Sequence, residues 1–88
     1  MWPKTVVIGA EYDDDLRDVL GRVLRQAGAE RKSHQRAVVG SQEIETWWYQ
    51  IGRHRLKVEG ETYIGLSLRG PALLVEQLAA AVRATRPA

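Results

Sequence analysis

Ile44-Glu45-Thr46-Trp47-Trp48-Tyr49-Gln50-Ile51 decides how the rest of this 88-residue chain is read. The run is dense in β-branched and aromatic residues, which suit a strand. Successive strand side chains point to opposite faces. Trp47 and Trp48 therefore cannot both enter one core unless the strand is bulged or buried on both sides. One of the two rings needs another role.

Gly52-Arg53 follows, and glycine in first position suits a two-residue hairpin of the II′ type. Such a turn pairs Ile51 with His54, Tyr49 with Leu56 and Trp47 with Val58. Two more strands are predicted, His54 to Glu59 and Tyr63 to Arg69, joined by a loop around Gly60-Glu61-Thr62. A three-residue loop there sets Val58 against Ile64 or its neighbour and Leu56 against Leu66. One face then carries Trp47, Tyr49, Ile51, Leu56, Val58, Ile64, Leu66 and Leu68, and it requires cover. The other carries Thr46, Trp48, Gln50, Arg55, Lys57, Tyr63, Ser67 and Arg69. A three-residue turn at Gly52 would instead bring Ile44 and Trp48 inside and turn Trp47 and Tyr49 out. In both registers one tryptophan stands outside beside Arg55 and Lys57.

The cover comes from two helices. Leu16, Val19, Leu20, Val23, Leu24 and Ala27 recur at helical spacing, with Arg17, Asp18, Arg22 and Arg25 off that stripe. Asp13, Asp14 and Asp15 supply the N-cap and suit the positive end of the dipole, and Gly28 is a natural stop. The last helix opens at Gly70-Pro71. Its predicted inner stripe is Leu74, Leu78, Ala81, Val82 and Thr85 with Val75 beside them. Arg83 and Arg86 occupy its negative end, and Pro87 terminates it.

Before the first helix, Thr5-Val6-Val7-Ile8 reads as a buried strand with both neighbours in place. Between that helix and the meander, Ala29 to Arg36 is polar and basic and reads as a loop. Ala37-Val38-Val39 is either a short strand of its own or the start of the next, with Gly40-Ser41 a turn or a bulge. Residues 1–88 thus form a single α+β domain of order β-α-(β)-β-β-β-α. The expected architecture is a two-layer sandwich, its sheet mostly antiparallel and both helices on one face.

Composition narrows the functional classes. A domain of this size buries roughly two-thirds of its unfolded surface, so a partner subunit would add stability. With no cysteine, disulfides and thiolate metal sites are excluded. No apolar run approaches the roughly 18 residues of a membrane span, nor does the start resemble a signal peptide, so no membrane partner and a cytoplasmic location are expected. The net charge of +2 is uneven. Five acids against Lys4 and Arg17 make residues 1–18 −3, which leaves +5 on the remainder.

Candidate chemistry is sparse. Consecutive aspartates diverge along a helix start and lack a calcium-loop pattern, so Asp13 to Asp15 read as a cap. Ile8-Gly9-Ala10 has one glycine and faces four acids, unlike a phosphate-binding turn. For a metal, His34 and His54 would have to converge with Glu43 or Glu45, which their spacing does not support. Ser41 and Ser67 have no triad setting. No catalytic residue, cofactor or metal is expected. The expected interaction face is Thr46, Trp48, Gln50, Arg55, Lys57, Tyr63 and Arg69, with Arg31, Lys32 and Arg36 as a basic rim. Trp, Tyr and Arg dominate protein interfaces, and the nearby Glu43, Glu45, Glu59 and Glu61 would repel phosphates. The reading is a non-catalytic homo-oligomerisation or partner-protein module, a homodimer in its simplest form. The alternative is RNA or single-stranded DNA stacked on the same rings.

Overall fold

The computed structural model describes residues 2–86. Seven elements follow in order: β1 (Pro3–Gly9), α1 (Asp14–Gln26), β2 (Glu30–Val39), β3 (Gln42–Ile51), β4 (His54–Glu61), β5 (Gly65–Pro71) and α2 (Ala72–Thr85). The strands form one sheet of order β1-β5-β4-β3-β2, with every pairing antiparallel. Both helices pack on one face, giving the two-layer α+β sandwich expected. Among the described residues no helix is long and apolar enough to cross a membrane.

Local chemistry accounts for the clearest elements. Asp13 is the N-cap of α1, its Oδ1 accepting the Leu16 N–H at 3.1 Å. At the other end Gly28 takes φ +76, which lets the Ala29 N–H reach the Leu24 carbonyl and the Gly28 N–H that of Arg25. The turn at Gly52-Arg53 has two residues, with Gly52 at φ +57, and so Ile51 pairs with His54, Tyr49 with Leu56 and Trp47 with Val58. Gly40-Ser41 closes the β2–β3 hairpin in the same way.

The core joins Leu16, Val19, Leu20, Val23 and Leu24 of α1 to Leu56, Val58, Leu66 and Leu68 of the sheet and to Val75, Leu78 and Val82 of α2. The α2 C-terminus meets the α1 N-terminus, where Arg86 pairs with Asp13 and Asp15. The helices therefore run antiparallel. Asp13 is held below the usual carboxylate range by the Leu16 N–H and by Arg86.

Six expectations need correction. The segment 29–36 is no loop: it belongs to β2, a ten-residue edge strand exposed at every position, and Ala37 to Val39 are its end. Because neither face of β2 is covered, it carries no burial pattern for periodicity to detect. β1 is the opposite edge, pairing with β5 alone, and Val7 is 50% exposed. A β-branched run is compatible with an edge as well as an interior position. β4 continues through Gly60, so the turn falls at Thr62-Tyr63-Ile64 and the register becomes Val58 with Leu68 and Gly60 with Leu66. Ile64 thereby leaves the core, 54% exposed. In α2 the buried stripe is Val75, Leu78, Ala79 and Val82, while Leu74 and Ala81 are partly buried. Thr85 is exposed, its hydroxyl donating to the Ala81 carbonyl at 2.8 Å. Ala27, expected in the α1 stripe, is instead its exposed C-cap. Pro71 is the last residue of β5, one position before α2. The expected stop at Pro87 lies outside the described residues.

Candidate functional site

The two-residue turn at Gly52 settles the tryptophans: Trp47 faces the helices and Trp48 the open side. On that open face the Arg55 guanidinium carbon lies 4.8 Å and the Lys57 ammonium 5.9 Å from the Trp48 ring centre. Such cations over an indole are attracted by its quadrupole. Thr46 and Gln50 flank Trp48 along β3, and Arg69, paired across with Lys57, donates to the Thr5 hydroxyl at 2.8 Å. Lys57 also lies 3.5 Å from Glu59. Ser67 belongs to the same face but is only 8% exposed, bonded to the Glu59 carbonyl.

Tyr63 does not join this face. It sits in the β4–β5 turn at φ +76, 79% exposed, with its hydroxyl 3.1 Å from that of Ser41. The basic residues of β2 are not its rim either. Arg31 pairs across from Tyr49 and Arg36 from Glu45, which places both on the helix side, and Lys32 is the extra residue of a bulge.

What those residues build instead is a polar cluster at the helix-side margin of the sheet. Glu45 is 7% exposed and is met by three cationic or protonatable groups. Its Oε2 lies 2.7 Å from His34 Nε2 and 3.6 Å from Arg36, and its Oε1 accepts from Arg17 at 3.2 Å. Burial pushes the Glu45 carboxyl up, but the His34 and Arg17 hydrogen bonds and the charges of Arg17 and Arg36 outweigh it, holding the group below its ordinary value. His34 also stacks on Trp47, ring centres 5.0 Å apart and planes 2° apart, while Arg17 approaches the same ring at 5.3 Å. Trp47 is thus fixed by charge as well as by packing.

Gly60 and Glu11 complete the cluster. A side chain at Gly60 would meet Arg17 at 3.4 Å and Glu11 at 3.7 Å, so glycine lets both lie against β4. Arg17 Nε donates to the Glu11 carbonyl at 2.6 Å, and Glu11 Oε2 is buried with no partner among the described residues. His34 is accordingly the histidine that reaches a carboxylate. His54 stays exposed at the Gly52 hairpin. No group of three or more acidic or histidine side chains is placed to hold a metal among the described residues.

Next to the cluster, a cleft of about 130 Å³ opens between α1 and β3, lined by Arg17, Leu20, Gly21, Leu24, Trp47, Tyr49, Val58 and Leu66. It follows from the size of the layers. Two helices packed at about 8–10 Å cover about four strands spaced about 4.8 Å apart, so the fifth strand is left bare and the flank of α1 open. Burial in this wall pushes the Tyr49 hydroxyl up, opposed by the charge of Arg31. Reading 29–36 as a loop hides the cluster, whose His34 and Arg36 reach Glu45 only from β2, and the cleft is assembled from α1, β3, β4 and β5, segments distant in sequence. The one available signal was Gly21, a mid-helix residue that costs roughly 0.5–1 kcal/mol against alanine.

Comparison of the chain with protein-family models, curated proteins and solved structures finds no match to any of them.

Proposed function

We propose that this domain is a non-catalytic association module that pairs with a second copy of itself through the outer face of its sheet. The observation that carries the reading is Trp48, a tryptophan with Arg55 and Lys57 over its ring on a face that neither helix covers. Aromatic and arginine side chains on an open surface are the residue types that dominate binding hot spots. Charges of both signs share the face, Arg55, Lys57 and Arg69 with Glu59 and Glu61, as a self-complementary two-fold contact requires.

Sedimentation velocity across a hundredfold concentration range tests this. A dimer is expected at the upper end, and Trp48→Ser shifts it to monomer with the circular dichroism unchanged. A monomer at every concentration overturns the reading. Nucleic-acid binding is the second reading, supported by the same ring and cations. It has lost its second stacking platform, because Tyr63 lies in a turn. Quenching of tryptophan fluorescence by a single-stranded oligonucleotide, weakening with salt, is its signature.

A further inference from the structure

We propose that the cleft between α1 and β3 is a docking slot for an acidic segment of a partner protein, which inserts one aliphatic or aromatic side chain beside Gly21. The slot lies on the helix side of the sheet, away from Trp48, so the inference is independent of self-association.

Gly21 is the first observation. Nothing in the domain's own packing demands a glycine there, because an added Cβ would meet only the flexible end of Arg25, at 3.5 Å. The residue also takes ordinary helical backbone, unlike Gly28. Its missing side chain instead leaves open the apolar cleft that Leu20, Leu24, Trp47 and Tyr49 line. The volume, about 130 Å³, is close to the roughly 150 Å³ of an apolar cavity that admits benzene, which sets the size of the inserted group at one side chain.

Charge specifies what surrounds it. Above the cleft a second hollow, sharing Arg17 and Gly21, is bordered by Asp18, Arg22 and Arg25. On the floor, Arg31 stands opposite Tyr49. Among the described residues Arg22, Arg25 and Arg31 take part in no ion pair, whereas Arg17, Arg36 and His34 are already engaged with Glu43 and Glu45. Three free guanidinium groups against the single carboxylate of Asp18 favour a segment rich in Asp and Glu, since arginine bonds carboxylates bidentately.

Titration of the isotopically labelled protein with synthetic 12-residue peptides, each with Asp and Glu flanking one central Leu, Phe or Trp, tests the slot by NMR. Shifts are expected at Gly21, Tyr49 and the Trp47 indole. Gly21→Leu, which fills the slot, weakens binding at least tenfold. The paired surface variant Arg25→Glu with Arg31→Glu does so without touching the core, and it decides the question if Gly21→Leu fails to fold. Trp48→Ser leaves the peptide affinity unchanged. Four results overturn the proposal: no shift with any acidic peptide at millimolar concentration, equal binding of Lys-flanked peptides, undiminished binding by the filled or charge-reversed variants, or Gly21 shifts that follow protein concentration alone. The last would mean that a second copy occupies the slot, through its exposed Tyr12 and neighbouring aspartates.

Discussion

Trp47 and Trp48 are the same residue one position apart, yet they live in different chemistry. Trp47 is stacked by His34, approached by Arg17 and packed against the core. Trp48, opposite Lys57 on the bare face, has the Arg55 and Lys57 cations over its ring. The difference lies in register alone: the two-residue turn at Gly52 assigns one ring to each side of a strand whose side-chain period is two. One ring is held against the helices and the core, and the other lies on the face that neither helix covers.

Substituting each ring in turn is the sharpest way to break this comparison. Trp47→Ala removes a large side chain wedged between α1, β2 and β4 and is expected to cost about 3 kcal/mol, at the low end for such truncations because the ring is only partly buried. Urea unfolding measures it, and equal losses for Trp47→Ala and Trp48→Ala would erase the distinction.

Removing the charge behind Trp47 is the next largest effect. Glu45→Gln leaves Arg17, His34 and Arg36 without their buried carboxylate and is expected to lower stability by about 1–3 kcal/mol at pH 7. The pH dependence has a defined sign. Glu45 titrates lower in the folded protein than its ordinary value of 4.5, so its contribution is complete above that value and is lost as pH falls through the folded one. The stability gap between wild type and Glu45→Gln should therefore begin to narrow as pH falls below about 4.5 and close as the folded carboxyl is protonated. A gap that does not narrow at all as pH falls from 7 to well below 4.5 would show that the carboxylate charge is not what secures the cluster.

The smallest expected effect is the other half of the comparison. Trp48→Ala should lower the unfolding free energy of the monomer by roughly 1 kcal/mol, the loss of its cation–π contacts with Arg55 and Lys57. Thermal unfolding at a concentration too low for self-association checks it. A larger loss would place Trp48 in the fold's own packing.

The two edges of the sheet teach a related lesson. β2 is the long bare one, and its bulge at Lys32 with the neighbouring Arg31 and Arg36 is how natural sheets deter edge-to-edge aggregation. Sequence alone places those same residues in a loop and on a rim of the outer face. Arg31 and Arg36 lie on the helix side instead, because the bulge resets the strand's alternation before His34 and Arg36 meet β3, and Lys32 pairs with Glu30.

Sequence by itself determined the α1 stripe from Leu16 to Leu24, its aspartate cap and Gly28 stop, the hairpin at Gly52 with two candidate registers, and the α+β class. These depend on interactions within about a dozen residues, where spacing and turn chemistry are decisive. It also located the outer pairing of Trp48 with Arg55 and Lys57, given a two-residue turn. Only the tertiary structure decided that 30–39 is an edge strand, that Tyr63 and Ile64 form a turn, that Glu45 gathers Arg17, His34 and Arg36, and that Gly21 opens a cleft. Each of those rests on segments distant in sequence, and an exposed strand carries no burial period by which a sequence could announce it.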